Sequence, residues 1–196
     1  MTKIKTVSVY CGSSLGKNKV YLDKAKALGT ELHRQDLNLV YGGGNIGLMG
    51  VIANTVLQAG GKVTGILPRF LNKKEVGNLD IDKLILVNSM HERKQMISEL
   101  SDAFIAMPGG YGTLEEVTEM LTWGQLGLIK KPIGLYNING FYDLLLAQFD
   151  RMVEEGFLKP ENRRMVLDDD DPEKLIEKLF AYEPISIPKW LHSDQT

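Results

Sequence analysis

The sequence has few of the residues that form disulfides and metal centres. Its 196 residues include one cysteine, Cys11, so an intrachain disulfide and a cysteine-based metal cluster are both excluded. Because Cys11 lies in an apolar, strand-like run, we expect it to be a small buried hydrophobic residue. His33, His91 and His192 are far apart along the chain and form no pair with ligand spacing. We therefore expect no metal site.

The chain also lacks long apolar runs and an excess of positive charge. No apolar run approaches the roughly 18 residues of a membrane-spanning helix. The first residues lead into a strand without the apolar core of a signal peptide. The formal net charge is −2, whereas bulk nucleic-acid binding needs a basic surface. We expect a cytoplasmic protein with no membrane or nucleic-acid partner.

Strand-like and helix-like segments alternate along the whole chain. Short, nearly continuous apolar runs predict strands that are buried on both faces, and segments with helical spacing separate them. The predicted strands are 7–11, 37–41, 62–67, 84–87, 102–107, 132–136 and 165–167, and the predicted helices are 21–34, 46–57, 91–100, 114–126, 141–155 and 172–180. This order predicts an α/β fold, a Rossmann-like doubly wound parallel sheet of about seven strands with helices on both faces. We expect one domain over residues 1–183 and a C-terminal tail over 184–196.

Two glycine-rich loops follow predicted strands, at Gly42–Gly44 and at Gly109–Gly112. Ligands of open α/β sheets bind beyond the carboxyl ends of the strands, and the free N–H groups of a helix N-terminus favour a phosphate. The first βα unit carries no G-x-G-x-x-G and the chain has no G-x-x-x-x-G-K-[ST], so a mononucleotide fits better than NAD or P-loop chemistry. The alternative for Gly42–Gly44 is tight strand-to-helix packing without a ligand.

Charged residues adjoin the second loop and the helix that precedes it. Glu116 follows Thr113 with the spacing of a capping box, in which threonine caps the helix and glutamate bonds back to the cap residue. Catalytic use of the Glu116 carboxylate is the other interpretation. Arg93 and Lys94 fall near a predicted helix N-terminus, where cations are unfavourable, which indicates an anionic ligand or a carboxylate partner. The alternative is a solvated charged face.

The sequence resembles one known family over nearly its whole length. The motif P-G-G-x-G-T-x-x-E at Pro108–Glu116, with the upstream Arg93-Lys94 pair, resembles the LOG ("lonely guy") family of cytokinin riboside 5′-monophosphate phosphoribohydrolases. Further matching stretches are Tyr10–Ser14, Tyr41–Gly44, Gly47–Gly50, Gly65–Pro68, Met90–Lys94, Thr122–Gly127 and Gly156–Leu158.

The resemblance implies an activity and a set of site residues. It implies hydrolysis of the N-glycosidic bond of adenosine 5′-monophosphates, such as isopentenyl-AMP, to a free cytokinin or adenine base and ribose 5-phosphate, without a cofactor. Arg93 and Glu116 would be the catalytic pair. The residues implied to bind the substrate are Ser13, Gly43, Gly44, Glu75, Lys94, Gly109, Gly110, Tyr111, Gly112, Thr113, Leu114, Glu115 and Thr122. Family members are homodimers with sites near the subunit contact, so a homodimer or a higher assembly is expected.

Other functions stay open at this point. The motif does not separate prenylated AMP from plain AMP, so a general AMP or nucleotide nucleosidase is one alternative. A non-catalytic nucleotide or cofactor carrier on the same fold is another. Lysine decarboxylation by pyridoxal phosphate needs a Schiff-base lysine, and the glycine motif contains none. Met49, Met90, Met107 and Trp123 are candidates for a prenyl pocket, although for each a core position is favoured.

Overall fold

The computed structural model describes residues 4–72 and 77–185, and these form a seven-stranded sheet covered by helices. The strands are β1 (Thr6–Tyr10), β2 (Asn38–Tyr41), β3 (Val63–Pro68), β4 (Lys83–Val87), β5 (Ala103–Ala106), β6 (Ile133–Tyr136) and β7 (Val166–Asp169). The helices are α1 (Lys19–Arg34), α2 (Gly47–Gln58), α3 (Arg69–Asn72), α4 (Met90–Leu100), α5 (Tyr111–Gln125), α6 (Asp143–Glu154), α7 (Pro160–Arg163) and α8 (Pro172–Ala181), with a 3-10 turn at Ile138–Gly140. Among the residues described, no helix has both the length and the apolarity needed to cross a membrane.

The sheet is parallel throughout, with the strand order β4-β3-β2-β1-β5-β6-β7. The chain runs outward from β1 to β4 and then returns to β5 on the other side of β1. This reversal opens a crevice beyond the carboxyl ends of β1 and β5, where open α/β sheets bind their ligands. The predicted doubly wound sheet is therefore confirmed.

Helices cover the sheet on both faces and enclose two apolar cores. One core contains Leu28 of α1, Ile52 of α2 and Leu175 of α8, all fully buried. The other contains Ile97 of α4 and Met120 of α5. Because both faces are covered, the central strands are apolar on both sides, which is why they are continuous apolar runs in the sequence.

Several boundaries differ from the sequence prediction. Helix α5 begins at Tyr111, three residues before the predicted start, because Gly112 adopts helical geometry although it counts as a loop residue in the sequence pattern. The short helices α3 and α7 are missing from the prediction, since four residues are too few to show a helical period. The predicted tail lies outside the described residues from 186 onward, and so does Glu75.

Candidate active site

Three loops meet in the crevice beyond β1 and β5. The N–H of Gly12 donates to the carbonyl of Pro108 at 3.1 Å, and the N–H of Leu48 donates to the carbonyl of Gly12 at 3.0 Å. Gly47 has a φ of +59°, and a β-carbon there would lie only 2.2 Å from the carbonyl carbon of Ser13. Only glycine fits this position, so the loops after β1 and β2 can approach each other closely.

A cavity of about 530 Å³ lies between these loops, α4 and the N-terminus of α5. Of the residues that the resemblance implied, the cavity is lined by Ser13, Gly44, Arg93, Gly110, Tyr111, Gly112, Thr113, Glu115 and Glu116. Its remaining wall is largely apolar and includes Met49, Leu67, Leu71 and Met90. Met49 and Met90, two of the candidates for a prenyl pocket, thus line this cavity. Met107, another candidate, is fully buried in an apolar core.

Other implied site residues lie outside the cavity wall. Gly43 has a φ of +76° and packs against Leu67 and Leu84, and the hydroxyl of Thr122 donates to the carbonyl of Thr118 within α5. The residues in this group are Gly43, Lys94, Gly109, Leu114 and Thr122. Contact of these residues with a substrate stays a prediction.

The N-terminus of α5 opens into the cavity. Gly110 is the N-cap residue, and no side chain among the described residues caps the helix. The first N–H groups of a helix have no partner within it, and they carry its positive dipole end. The capping-box interpretation is wrong, because Thr113 is the third residue of α5 rather than its cap and Glu116 bonds to a side chain of α4.

The glycines of the motif at Pro108–Glu116 differ in whether the surrounding chain leaves room for a side chain. A β-carbon on Gly109 would lie 2.1 Å from the hydroxyl of Thr113, so the chain itself requires glycine there. A β-carbon on Gly110 or Gly112 would meet nothing within 4 Å, and neither residue has a positive φ. The space beside Gly110 and Gly112, at the start of the helix, is therefore open, and helix N-termini are known to favour anions.

Arg93 and Glu116 form an ion pair in the wall of the cavity. Nη1 of Arg93 lies 2.5 Å from Oε1 of Glu116, and Nε of Arg93 donates to the carbonyl of Ile66 at 3.2 Å. Arg93 is 8% exposed and Glu116 is 7% exposed. Burial raises the pKa of Glu116, and the charge and hydrogen bond of Arg93 offset that rise only in part.

A side-chain cap does occur at the start of α4, and its glutamate accepts from the residue before the N-cap rather than from the N-cap itself. The hydroxyl of Ser89 accepts from the N–H of Glu92 at 3.1 Å, and the carboxylate of Glu92 accepts from the N–H of Asn88 at 2.7 Å. The spacing S-x-x-E of Ser89 and Glu92 was the available sequence signal. This cap fixes the first turn of α4 and so the direction in which Arg93 leaves the helix.

Lys94 forms a second bridge between α4 and α5. Its ammonium contacts the carboxylate of Glu115 and lies 3.1 Å from Oε1 of Glu119. Burial lowers the pKa of Lys94, but its hydrogen bonds to both carboxylates outweigh that effect, so its pKa lies above the ordinary value. Glu119 is absent from the implied site residues, although its i+3 spacing from Glu116 was the signal for a shared helix face.

Tyr10 and Cys11, at the end of β1, line the cavity as well. Burial raises the pKa of the Cys11 thiol and of the Tyr10 hydroxyl, so both groups are uncharged at neutral pH. The expectation that Cys11 is a buried hydrophobic residue is confirmed, because it belongs to an apolar core. In the described part of the chain, no three His, Cys, Asp or Glu residues are grouped so as to hold a metal ion.

Comparisons with known proteins identify a matching family, similar sequences and a solved structure with the same fold. Residues 49–179 match a family described as "Possible lysine decarboxylase". A cytokinin riboside 5′-monophosphate phosphoribohydrolase of Arabidopsis thaliana is 48% identical over 185 residues, covering 94% of this chain and 81% of the relative. A probable enzyme of the same name from Oryza sativa subsp. japonica is 44% identical over 194 residues, covering 96% and 80%. The molybdenum cofactor binding protein of Rippkaea orientalis has a TM-score of 0.68 at 24% identity, covering 90% of this chain and 96% of that one, which shows a shared fold.

Proposed function

The chain belongs to the LOG family, and we propose that it hydrolyses the N-glycosidic bond of N6-substituted adenosine 5′-monophosphates such as isopentenyl-AMP. The products are the free base and ribose 5-phosphate. One observation carries this proposal: the buried Arg93–Glu116 pair and the uncapped N-terminus of α5 face the same 530 Å³ cavity. A carboxylate and a phosphate site so close together fit cleavage of a phosphorylated nucleoside.

Glu116 acts on the reacting centre in this proposal. Cleavage of an N-glycosidic bond builds positive charge on the anomeric carbon, much as in glycoside hydrolysis. The ionised carboxylate of Glu116 stabilises that charge and orients the attacking water. Arg93 holds the carboxylate in place through its planar guanidinium, which also contacts the carbonyl of Ile66.

The 5′-phosphate supplies binding energy away from the bond that breaks. The free N–H groups at the start of α5 and the open space at Gly110 and Gly112 suit a phosphate. Anchoring the phosphate there holds the ribose against Glu116, which lowers the entropic part of the barrier. We therefore expect the riboside without a phosphate to be a poor substrate.

The apolar wall of the cavity supports an N6-substituted base. Met49, Leu67, Leu71 and Met90 lie among the lining residues, and flexible methionine side chains adapt to a branched hydrocarbon. A plain AMP nucleosidase is the alternative, and the ratio of turnover between isopentenyl-AMP and AMP separates the two.

Two other functions, pyridoxal phosphate chemistry and non-catalytic carriage of a nucleotide or cofactor, fit the cavity less well. The described residues that line it include no lysine, so pyridoxal phosphate chemistry lacks its Schiff-base residue there. A carrier of a nucleotide or cofactor has no use for a buried carboxylate beside its phosphate site. A carrier would bind the nucleotide and return it unchanged.

The test is a chromatographic assay for the free base. The purified chain is incubated with isopentenyl-AMP, AMP, GMP, CMP and isopentenyl-adenosine, with Glu116→Gln as the inactive control. We expect base release from isopentenyl-AMP, less from AMP, and little from the riboside. Comparable turnover of isopentenyl-AMP and its riboside would contradict the phosphate anchor, and unchanged nucleotide in every reaction would favour a carrier.

The end of α5 and the residues that follow it support a homodimer, with a pair of dimers as the larger alternative. Leu126 and Leu128 are 56% and 68% exposed, and a groove of about 650 Å³ beside them is lined by Trp123 and Ile129. A second copy packed by two-fold symmetry would cover this apolar surface. Native mass spectrometry tests the assembly, and a stable, fully active monomer of 21.9 kDa would overturn it.

The location and the absence of other partners stay predictions. We propose a cytoplasmic protein that binds neither nucleic acid nor membranes, on the basis of the net charge of −2 and the composition. Cell fractionation with an antibody against the chain tests the location.

A further inference from the structure

Five charged side chains meet between α4 and α5, and only two of them are cations. Arg93 pairs with Glu116, whereas Lys94 pairs with both Glu115 and Glu119. The two bridges are adjacent along both helices, so the charges of one act on the other. With Glu116 counted among the three carboxylates, the contact carries one net negative charge when every group is ionised, and the four groups around Glu116 balance one another.

We propose that Lys94 and Glu119 are positioning residues, whose opposite charges set how readily Glu116 stays ionised and bound to Arg93. This inference rests on the proposed function of Glu116. Neither residue lines the 530 Å³ cavity, so the proposed route of both runs through the charge of Glu116. Glu119 lines the separate groove between α4 and α5, beside Trp123.

Burial makes these charges effective. Lys94 is 7% exposed, and Oε2 of Glu119 is buried without a hydrogen-bond partner among the described residues. Charges interact more strongly where water is excluded. The hydroxyls of Thr118 and Thr122, on either side of Glu119 along α5, donate to backbone carbonyls of the helix. Among the described residues, the Lys94 ammonium is therefore the hydrogen-bond partner of the Glu119 carboxylate.

The other groups that face Glu116 are fixed in charge at neutral pH. Arg93 is a permanent cation. Tyr10 and Cys11, on β1, are neutral because burial raises their pKa. Glu115, next to Glu116 on α5, raises the pKa of Glu116, whereas Lys94 lowers it. Lys94 is therefore the cation that acts on Glu116 from outside the cavity, and Glu119 acts through the Lys94 ammonium that it binds.

Because Lys94 and Glu119 carry opposite charges, neutralising each of them should shift the titration of the Glu116 carboxyl in opposite directions. Lys94→Gln removes the cation and leaves Glu115 and Glu119 unbalanced, so the Glu116 carboxyl should titrate about half a pH unit or more higher. Glu119→Gln removes a negative charge with almost no change of shape, so Glu116 should titrate lower. Lys94→Arg keeps the charge and should stay near the native value.

The primary experiment measures the carboxyl group itself. The full chain is labelled with glutamate carrying ¹³C in its side-chain carboxyl, and the resonance that disappears in Glu116→Gln is followed through a pH titration. This measurement does not need catalysis, so it tests the inference even if the proposed function fails. The pH profile of kcat/KM for base release is the second readout, and its acid limb should move with the NMR titration while KM stays nearly constant.

The outcomes separate a charge effect from a structural one. Shifts of opposite sign in Lys94→Gln and Glu119→Gln support the proposal. Equal loss of activity at every pH with an unmoved titration would overturn it, and so would shifts of the same sign. If Lys94→Gln does not fold, as judged by circular dichroism, the isosteric Glu119→Gln decides alone: an unmoved or raised titration contradicts the proposal. A large rise in KM for Lys94→Arg would instead indicate direct contact with the phosphate.

Discussion

A β-carbon on Gly42 would lie 2.3 Å from Nη2 of Arg93, so the guanidinium occupies the space that any other residue at position 42 needs. Gly42, which follows β2, thus helps to hold the Arg93 guanidinium in position. The carbonyl of Ile66 and the carboxylate of Glu116 do so through hydrogen bonds. The Gly42–Gly44 loop can therefore both pack tightly against the strands and serve the site. Its packing leaves the space in which the Arg93 side chain lies.

Gly42→Ala is expected to act through Arg93. The new methyl group pushes the guanidinium out of its plane with Glu116, and a displaced catalytic group costs about tenfold or more in kcat. Steady-state kinetics measure the loss. The double variant Gly42→Ala/Arg93→Ala is the control, because it should be no less active than Arg93→Ala alone if both changes act on the same group. Additive losses would assign Gly42 a separate role.

Glu116→Gln is expected to lower kcat by about two orders of magnitude or more, since the amide cannot stabilise positive charge on the sugar. The fold should persist, because the amide oxygen still accepts a hydrogen bond from Arg93. Thermal unfolding checks the fold, and Glu177→Gln, an exposed position on α8, is the matched control. Near-normal turnover in Glu116→Gln would limit Glu116 to a structural role.

Arg93→Lys is expected to lose most of the activity, about a hundredfold, and Arg93→Ala to be nearly inactive. Arginine reaches the Ile66 carbonyl and the Glu116 carboxylate at once through a rigid planar fork, whereas the lysine ammonium is a point charge. Arg151→Lys, on the exposed face of α6, serves as the control substitution. Full activity in Arg93→Lys would mean that charge alone suffices.

Gly112→Ala is expected to change stability and activity in opposite directions. Gly112 lies in the first turn of α5 with nothing within 4 Å of a new β-carbon, and alanine is the better helix former by up to about 1 kcal/mol. The melting temperature should therefore stay the same or rise. The methyl group narrows the space in front of the helix N–H groups, so KM for the 5′-monophosphate should increase severalfold. An unchanged KM would place the phosphate elsewhere.

The sequence by itself determined the architecture, whereas the reactive groups stay a prediction. Apolar runs separated by helical segments can be satisfied only by a covered parallel sheet, and glycine loops at strand ends then lie at one edge of it. The resemblance to the LOG family, carried by the motif at Pro108–Glu116 and the upstream Arg93-Lys94 pair, predicted Arg93 and Glu116 as the catalytic pair before any geometry was known.

Only the tertiary structure decided which charges meet. Arg93 and Glu116 are 23 positions apart, and they touch because α4 packs on β3 while α5 packs on β1 and β5. Local spacing left both a cap and a catalytic role open for Glu116 and left Glu119 unnoticed, because a capping pattern depends on where a helix begins. The helix begins after the extended N-cap Gly110, and that position follows the end of β5, whose pairing with β1 a local pattern does not contain.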